Sequence, residues 1–94
     1  MIVVRDGRVE LEQPEDVKGF KVVVHGGDAT ALAEVGRLIG RDNAWVHMDA
    51  VRRLASGHVG PRWEDEFQGM IEYARTRGWI DDDRREIQAH VEWA

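Results

Sequence analysis

The segment Phe20-Lys21-Val22-Val23-Val24 constrains the fold of this chain more than any other. It is apolar at every position but one and rich in β-branched residues, which is typical of a strand covered on both faces. A chain of 94 residues has enough apolar surface for one core and not for two. We therefore expect this strand to be central in a single domain that spans residues 1–94.

The residues before this strand predict a β-hairpin. Ile2-Val3-Val4-Arg5 is β-rich, and Asp6-Gly7 is the strongest two-residue hairpin signal, because glycine adopts positive φ without steric cost. The segment Arg8–Glu12 then alternates, so that Val9 and Leu11 share one face. The hairpin and the following strand are the β part of the predicted fold.

The residues after the strand predict a helix over 29–39. Gly26-Gly27 ends the strand, Asp28 suits a helix N-cap, and Gly40 suits a helix end. The apolar side chains at helical spacing are Leu32, Val35, Leu38 and Ile39. Glycine is unfavourable inside a helix, so Gly36 predicts close packing at that point.

Residues 43–56 allow two interpretations. One is a single helix across the whole segment. The other, which we prefer, is a short alternating strand over 44–48, followed by a helix over 50–55 that Asp49 caps. With the strand, residues 20–48 would form a β-α-β unit, whose crossover should be right-handed.

Two further helices are predicted at the C-terminal end, over residues 62–77 and 83–93. The first has a clear apolar stripe, and Asp83 and Glu86 are spaced like a capping box at the start of the second. The apolar side chains of the second helix are Ile87 and Val91. The predicted fold class is therefore α+β, with the hairpin, a third strand and a possible fourth packed against three to four helices.

Charge and composition exclude several classes of protein. The net charge is −5, and no basic run is present, which argues against nucleic acid and against an acidic membrane surface as partners. No apolar run approaches the roughly 20 residues that span a bilayer, and the first residues do not resemble a signal peptide. The chain has no cysteine, and its cations are almost all arginine, which is typical of GC-rich genomes. We expect a cytoplasmic, bacterial protein without a cofactor.

The segment His25-Gly26-Gly27-Asp28 is the best candidate for chemistry. A strand, a Gly-Gly turn and a helix start would bring unpaired backbone N–H groups together as an anion or oxyanion site. His25 would donate to the ligand or transfer a proton, and Trp45 and His47 would line the pocket. This arrangement suggests a small-ligand site, or a cofactor-free isomerase or lyase. The alternative is an ordinary β-to-α turn.

The histidines do not predict a metal site. In a strand, His47 and Asp49 would face the same side and could reach one ion. No two histidines are four residues apart, however, and no His-Glu-x-x-His motif occurs. We therefore predict no bound metal.

Four tryptophans are many for a chain of 94 residues. Trp63 lies on a predicted core stripe, whereas Trp45, Trp79 and Trp93 are candidates for a protein interface, where tryptophan is enriched. No motif is specific enough to indicate a family. Our first hypothesis is a small non-catalytic interaction module that pairs with itself as a homodimer or with another protein. The small-ligand protein or enzyme is the alternative, and an acidic antitoxin or immunity protein ranks last.

Overall fold

The computed structural model describes all residues from 1 to 94. It contains seven strands, two α-helices and one 3-10 helix. The strands are β1 (Ile2–Arg5), β2 (Arg8–Leu11), β3 (Val22–Val24), β4 (Gly36–Ile39), β5 (Asn43–His47), β6 (Ile80–Asp81) and β7 (Glu86–Trp93). The helices are the 3-10 helix (Thr30–Glu34), α1 (Met48–Ala55) and α2 (Trp63–Thr76). Neither α-helix is both long enough and apolar enough to cross a bilayer.

The strands form one curled sheet in the order β2-β1-β3-β7-β5-β4. The long strand β7 is its centre. Along one side β7 pairs antiparallel with β5, and along the other it pairs with β6 at its start and parallel with β3 at its end. The sheet is therefore mixed. β2 and β4 are the edges at the two ends of this order, and the two-residue strand β6 also has a partner on one side only.

One face of the sheet, together with both α-helices and the 3-10 helix, forms the core. Strand residues that alternate in sequence point to this face, as the period of a β-strand requires. The buried side chains from the sheet include Ile2, Val4, Val22, Val24, Ala44, Val46, Ile87, Ala89 and Val91. In α2, Trp63 stacks on Phe67 with ring centres 4.7 Å apart, and its indole N–H donates to the carbonyl oxygen of Pro14.

Several predictions from local signals are confirmed. β1 and β2 form the hairpin, and both turn residues have positive φ, 52° at Asp6 and 72° at Gly7. The third strand is present as β3. The preferred order of a strand and then a helix in residues 43–56 is also correct, because β5 is followed directly by α1. The predicted cap is wrong, because α1 begins at Met48 with His47 as its N-cap, so that Asp49 lies inside the first turn. The predicted helix over 62–77 is α2.

The prediction of three to four helices is wrong, since the chain has only two α-helices. The first missing helix is the one over 29–39. It is replaced by the 3-10 helix, which buries Leu32, and by β4, which pairs with β5. Gly40 has a φ of 63° and begins the turn between these strands. Gly36 is tightly packed, as expected, but against the backbone of a neighbouring strand.

The second missing helix is the one over 83–93, which is the strand β7. Its sequence alternates strictly, with Glu, Gln, His and Glu on one face and the apolar residues on the other. Ile87 and Val91 are four apart, which fits a helix as well as a strand, but Ala89 between them is also buried and decides for the strand. Asp83 and Glu86 accordingly form no capping box.

The β-α-β unit over residues 20–48 is also wrong. β3 and β5 do not pair with each other, because β7 lies between them. β5 runs antiparallel to β7, whereas β3 runs parallel to it. The connection from β3 to β5 therefore contains a 3-10 helix and a β-hairpin in place of a crossover helix.

Asp49 joins the start of α1 to the turn between β6 and β7, and this contact predicts a pH effect. The pKa of Asp49 is held below its usual value chiefly by hydrogen bonds from Arg85, with Nη2 to Oδ1 at 3.0 Å, and also by Arg52. A carboxyl whose folded pKa is lowered stabilises the protein fully above its unfolded pKa, about 4, and loses that contribution as the pH falls through the folded pKa.

Asp49→Asn should therefore have a lower urea midpoint than the wild type at neutral pH, and the difference should shrink as the pH falls below about 4. The effect should be small and weakened by salt, because the carboxylate is exposed. Urea titrations at several pH values measure it. A difference that is the same at every pH would contradict it.

Candidate functional site

The turn at residues 25–28 closes the end of β3 and borders a shallow depression of about 260 Å³. The residues around it are Arg5, Asp6, Gly7, His25, Gly26 and Asp28. Gly26 and Gly27 both have positive φ, 73° and 71°. No α-helix follows them, so the aligned N–H groups of a helix start, on which the predicted anion site depended, are not formed there.

The Asp28 carboxylate is engaged within this turn. Its Oδ1 accepts from the backbone N of Thr30 at 2.9 Å and from the Thr30 hydroxyl at 2.6 Å. These two hydrogen bonds lower the pKa of Asp28 below its usual value. The predicted N-cap role of Asp28 is wrong, because the N-cap of the 3-10 helix is Ala29 and no side chain caps it. The Asp28 carboxylate is held within the turn, and an anion there would meet its negative charge. A functional role for His25 stays a prediction.

The structure does not bring the predicted ligand residues together. Trp45 and His47 lie on β5 beside the first half of β7, where His47 is opposite Glu86. The turn at His25 is at the other end of β7, because Val24 is opposite Trp93. The 25–28 turn and the Trp45–His47 pair are thus two separate places on the sheet.

The three tryptophans predicted for an interface also lie apart. Trp45 is half-buried on the sheet face opposite the core. Trp93 packs against the core, its indole N–H donates to the carbonyl oxygen of Arg41, and the guanidinium of that arginine lies 4.6 Å from the ring centre. Trp79, between α2 and β6, is 39% exposed and contacts Tyr73 edge-on. They do not form one apolar patch.

The edge strand β4 is the most unusual part of the surface. It pairs only with β5, so one side of its backbone has no strand partner. It also carries Leu38 and Ile39, two of the four large apolar side chains that are exposed, each at 37%. Unpaired backbone groups beside apolar side chains are the features that allow another strand to add to a sheet.

The opposite edge, β2, is protected. It carries the exposed charged residues Arg8 and Glu10, and Arg5 on the neighbouring strand forms salt bridges with Glu10 and with Glu12. Charged side chains on an edge strand are a common device against unwanted pairing. Of the two strands that end the sheet order, β4 is therefore the one whose unpaired backbone is bordered by exposed apolar side chains.

A buried carboxylate holds β4 against the sheet. Glu86 on β7 is fully buried, and Arg37 on β4 reaches across β5 so that its Nη1 donates to both carboxylate oxygens, at 3.0 and 2.9 Å. The Nδ1 of His47 lies 3.4 Å from the same carboxylate. The Arg37 side chain is itself 46% exposed. The ion pair therefore joins a buried carboxylate on the central strand β7 to a half-exposed arginine on the edge strand β4.

Sequence reasoning missed both members of this pair. The sequence pattern places Glu86 in a helix capping box and gives no role to Arg37, which lies inside the predicted helix over 29–39. The alternation of β7 was the signal that would have placed Glu86 on a sheet face.

No group of three His, Asp or Glu side chains is arranged to hold a metal ion.

Comparisons with protein-family models, with curated proteins and with solved structures find no match to this chain. The class that the fold itself defines is an α+β domain with a curled, mixed sheet and two helices on one face.

Proposed function

We propose that this protein is a non-catalytic interaction module that forms a homodimer by pairing β4 with β4 of a second copy. The observation that carries the proposal is the contrast between the two sheet edges: β4 exposes Leu38 and Ile39 beside an unpaired backbone, whereas β2 is charged. A second copy is the partner that presents the same strand, so a two-fold axis satisfies both unpaired edges at once.

The register of β4 places an exposed apolar side chain on each face of the sheet at the proposed β4–β4 interface. Leu38 is opposite Ala44 and shares its core side, whereas Ile39 is opposite Asn43 and points to the other side. An added antiparallel strand would therefore cover Leu38 on one face and Ile39 on the other. Because β4 has only four residues, the interface is small, and we expect a weak, concentration-dependent dimer.

The enzyme hypothesis has less support. The 25–28 turn precedes no α-helix, its Asp28 carboxylate would repel an anion, and neither Trp45 nor His47 borders it. We keep the cytoplasmic location as part of the proposal, with another protein in the cell as the alternative partner for the β4 edge.

The test is the molar mass in solution, measured by size-exclusion chromatography with light scattering over a wide range of concentration. The wild type should approach the dimer mass as concentration rises. Leu38→Lys and Ile39→Lys should each weaken the dimer at least about tenfold, or about 1.4 kcal/mol, because lysine on an edge strand opposes pairing.

Trp79→Lys is the matched control, because Trp79 is exposed to nearly the same extent as Leu38 and lies beside β7, which β5 separates from β4. It should dimerise like the wild type. A wild type that remains a monomer at every concentration, or a dimer that Trp79→Lys disrupts and the β4 variants do not, would overturn the proposal.

A further inference from the structure

A groove runs between the exposed face of α2 and the segment that joins β2 to β3. Its volume is about 710 Å³, within the range of small-molecule pockets in proteins. The residues that line it are Val17, Lys18, Glu66, Gly69, Met70 and Tyr73. We refer to these six residues as the α2 groove. None of them belongs to β4, so the groove is independent of the proposed dimer.

Gly69 is the feature of the groove that local structure does not explain. It lies in the middle of α2, where glycine is among the least favourable residues. Its φ is not positive, and a Cβ atom added there would meet no atom within 4 Å. Packing within the protein therefore does not require a glycine. Its effect is to leave the helix backbone open on the floor of the groove, which lets a flat group approach closely.

The walls of the groove suit an aromatic ring. Glu66, Gly69, Met70 and Tyr73 follow one another at helical spacing, so they form one continuous stripe about 10 Å long. Beside the open backbone of Gly69, the flexible thioether of Met70 and the ring of Tyr73, which is 59% exposed, are both good partners for an aromatic ligand.

The charges of the groove define the rest of the ligand. Lys18 and Glu66 border the groove with opposite charges, and neither forms a salt bridge with the other or with any other residue. One free cation and one free anion therefore border a largely apolar surface. A ligand that complements both carries an anionic and a cationic group.

We propose that the α2 groove binds a small aromatic zwitterion, of which a free aromatic amino acid is the simplest example. The ring lies over the backbone of Gly69 between Met70 and Tyr73. The carboxylate of the ligand pairs with Lys18, and its ammonium group pairs with Glu66. The protein then combines a self-pairing edge with a separate ligand site on α2.

The test is an NMR titration of the isotope-labelled protein with L-phenylalanine, L-tyrosine and L-tryptophan, followed by backbone amide shifts. At least one of the three should shift the amides of Gly69, Met70 and Lys18 in a saturable way. Gly69→Leu should weaken that binding at least tenfold, because its side chain fills the groove. The same variant should have a higher urea midpoint, because leucine favours the helix, so lost binding is distinguished from unfolding.

Two further variants complete the design. Gln68→Leu introduces the same side chain at the neighbouring position outside the groove and should bind like the wild type. Lys18→Gln should weaken binding several-fold while leaving the urea midpoint unchanged. The proposal is overturned if none of the three amino acids shifts the groove amides, if the shifts lie elsewhere on the protein, or if Gly69→Leu binds as well as the wild type.

Discussion

Gly36→Ala should lower the free energy of unfolding by about 3 kcal/mol, at the upper end of what overpacking costs. A Cβ at this position would collide with the carbonyl oxygen of Trp45 and lie 3.0 Å from Val46 Cα. Both obstacles are backbone atoms, which a side-chain rotation does not relieve. β5 is held in place because its other side pairs with β7 along Asn43–His47. The clash is therefore relieved only if the edge strand β4 moves away and loses its pairing with β5. Urea unfolding followed by far-ultraviolet circular dichroism measures the loss.

The sign of this effect distinguishes the observed strand from the helix that the sequence predicted over 29–39. In a helix interior, alanine in place of glycine stabilises by up to about 1 kcal/mol. Gly69→Ala is the matched control, because Gly69 does lie in a helix and has open space around it. We expect Gly36→Ala to lower the urea midpoint and Gly69→Ala to raise it. A rise in both variants would contradict the pairing of β4 with β5.

The parts of the fold that could be predicted from sequence are those whose signals are local. The turn Asp6-Gly7 needs positive φ at both positions, which its residues tolerate, and the two flanking strands pair directly. Helix α2 has acidic residues in its first turn and an apolar stripe. Neither element requires knowledge of a distant partner.

The parts that could not be predicted depend on distant partners. Leu32 and Val35 are both buried, as predicted, but Leu32 lies in the 3-10 helix and Val35 directly follows it. The spacing of apolar residues alone does not show that the next four residues form a strand. β7 pairs with β3, β5 and β6, from three different parts of the chain. Its burial on one face is a consequence of that assembly.

The candidate sites follow the same rule. The 25–28 turn was correctly placed at the end of β3, but its proposed chemistry depended on a helix that does not form. The open edge could not be predicted at all, because Leu38 and Ile39 were assigned to that helix. The ion pair of Arg37 and Glu86 joins residues that are 49 positions apart.

Arg37→Ala should be the second most destabilising of these changes, with a loss of about 2–3 kcal/mol. It leaves the carboxylate of Glu86, whose side chain is 1% exposed, without its main cation. Removing one partner of a fully buried pair costs about 3–5 kcal/mol. We expect a smaller loss here because Arg37 is half-exposed and water reaches the site when it is removed. Urea unfolding measures this loss as well.

Lys21→Ala is the matched control. Lys21 pairs at 3.2 Å with Glu92, which lies on the same face of β7 as Glu86, but both side chains of this second pair are well exposed. Its loss should be about 0–1 kcal/mol. Glu86 and Glu92 thus differ mainly in burial. The difference between the losses in free energy of unfolding of the two variants therefore measures the cost of leaving the buried Glu86 carboxylate without a cation. Equal losses in the two variants would contradict a buried Glu86.

The double variant Arg37→Leu with Glu86→Leu should recover most of the stability, because an apolar pair of similar volume often replaces a buried ion pair at little cost. Its effect on the dimer separates two roles of Arg37. If the arginine only satisfies Glu86, the double variant should pair through β4 as strongly as the wild type, since Leu38 and Ile39 are unchanged. If it also holds the edge in place, Arg37→Ala should weaken the dimer and the double variant should restore it only in part.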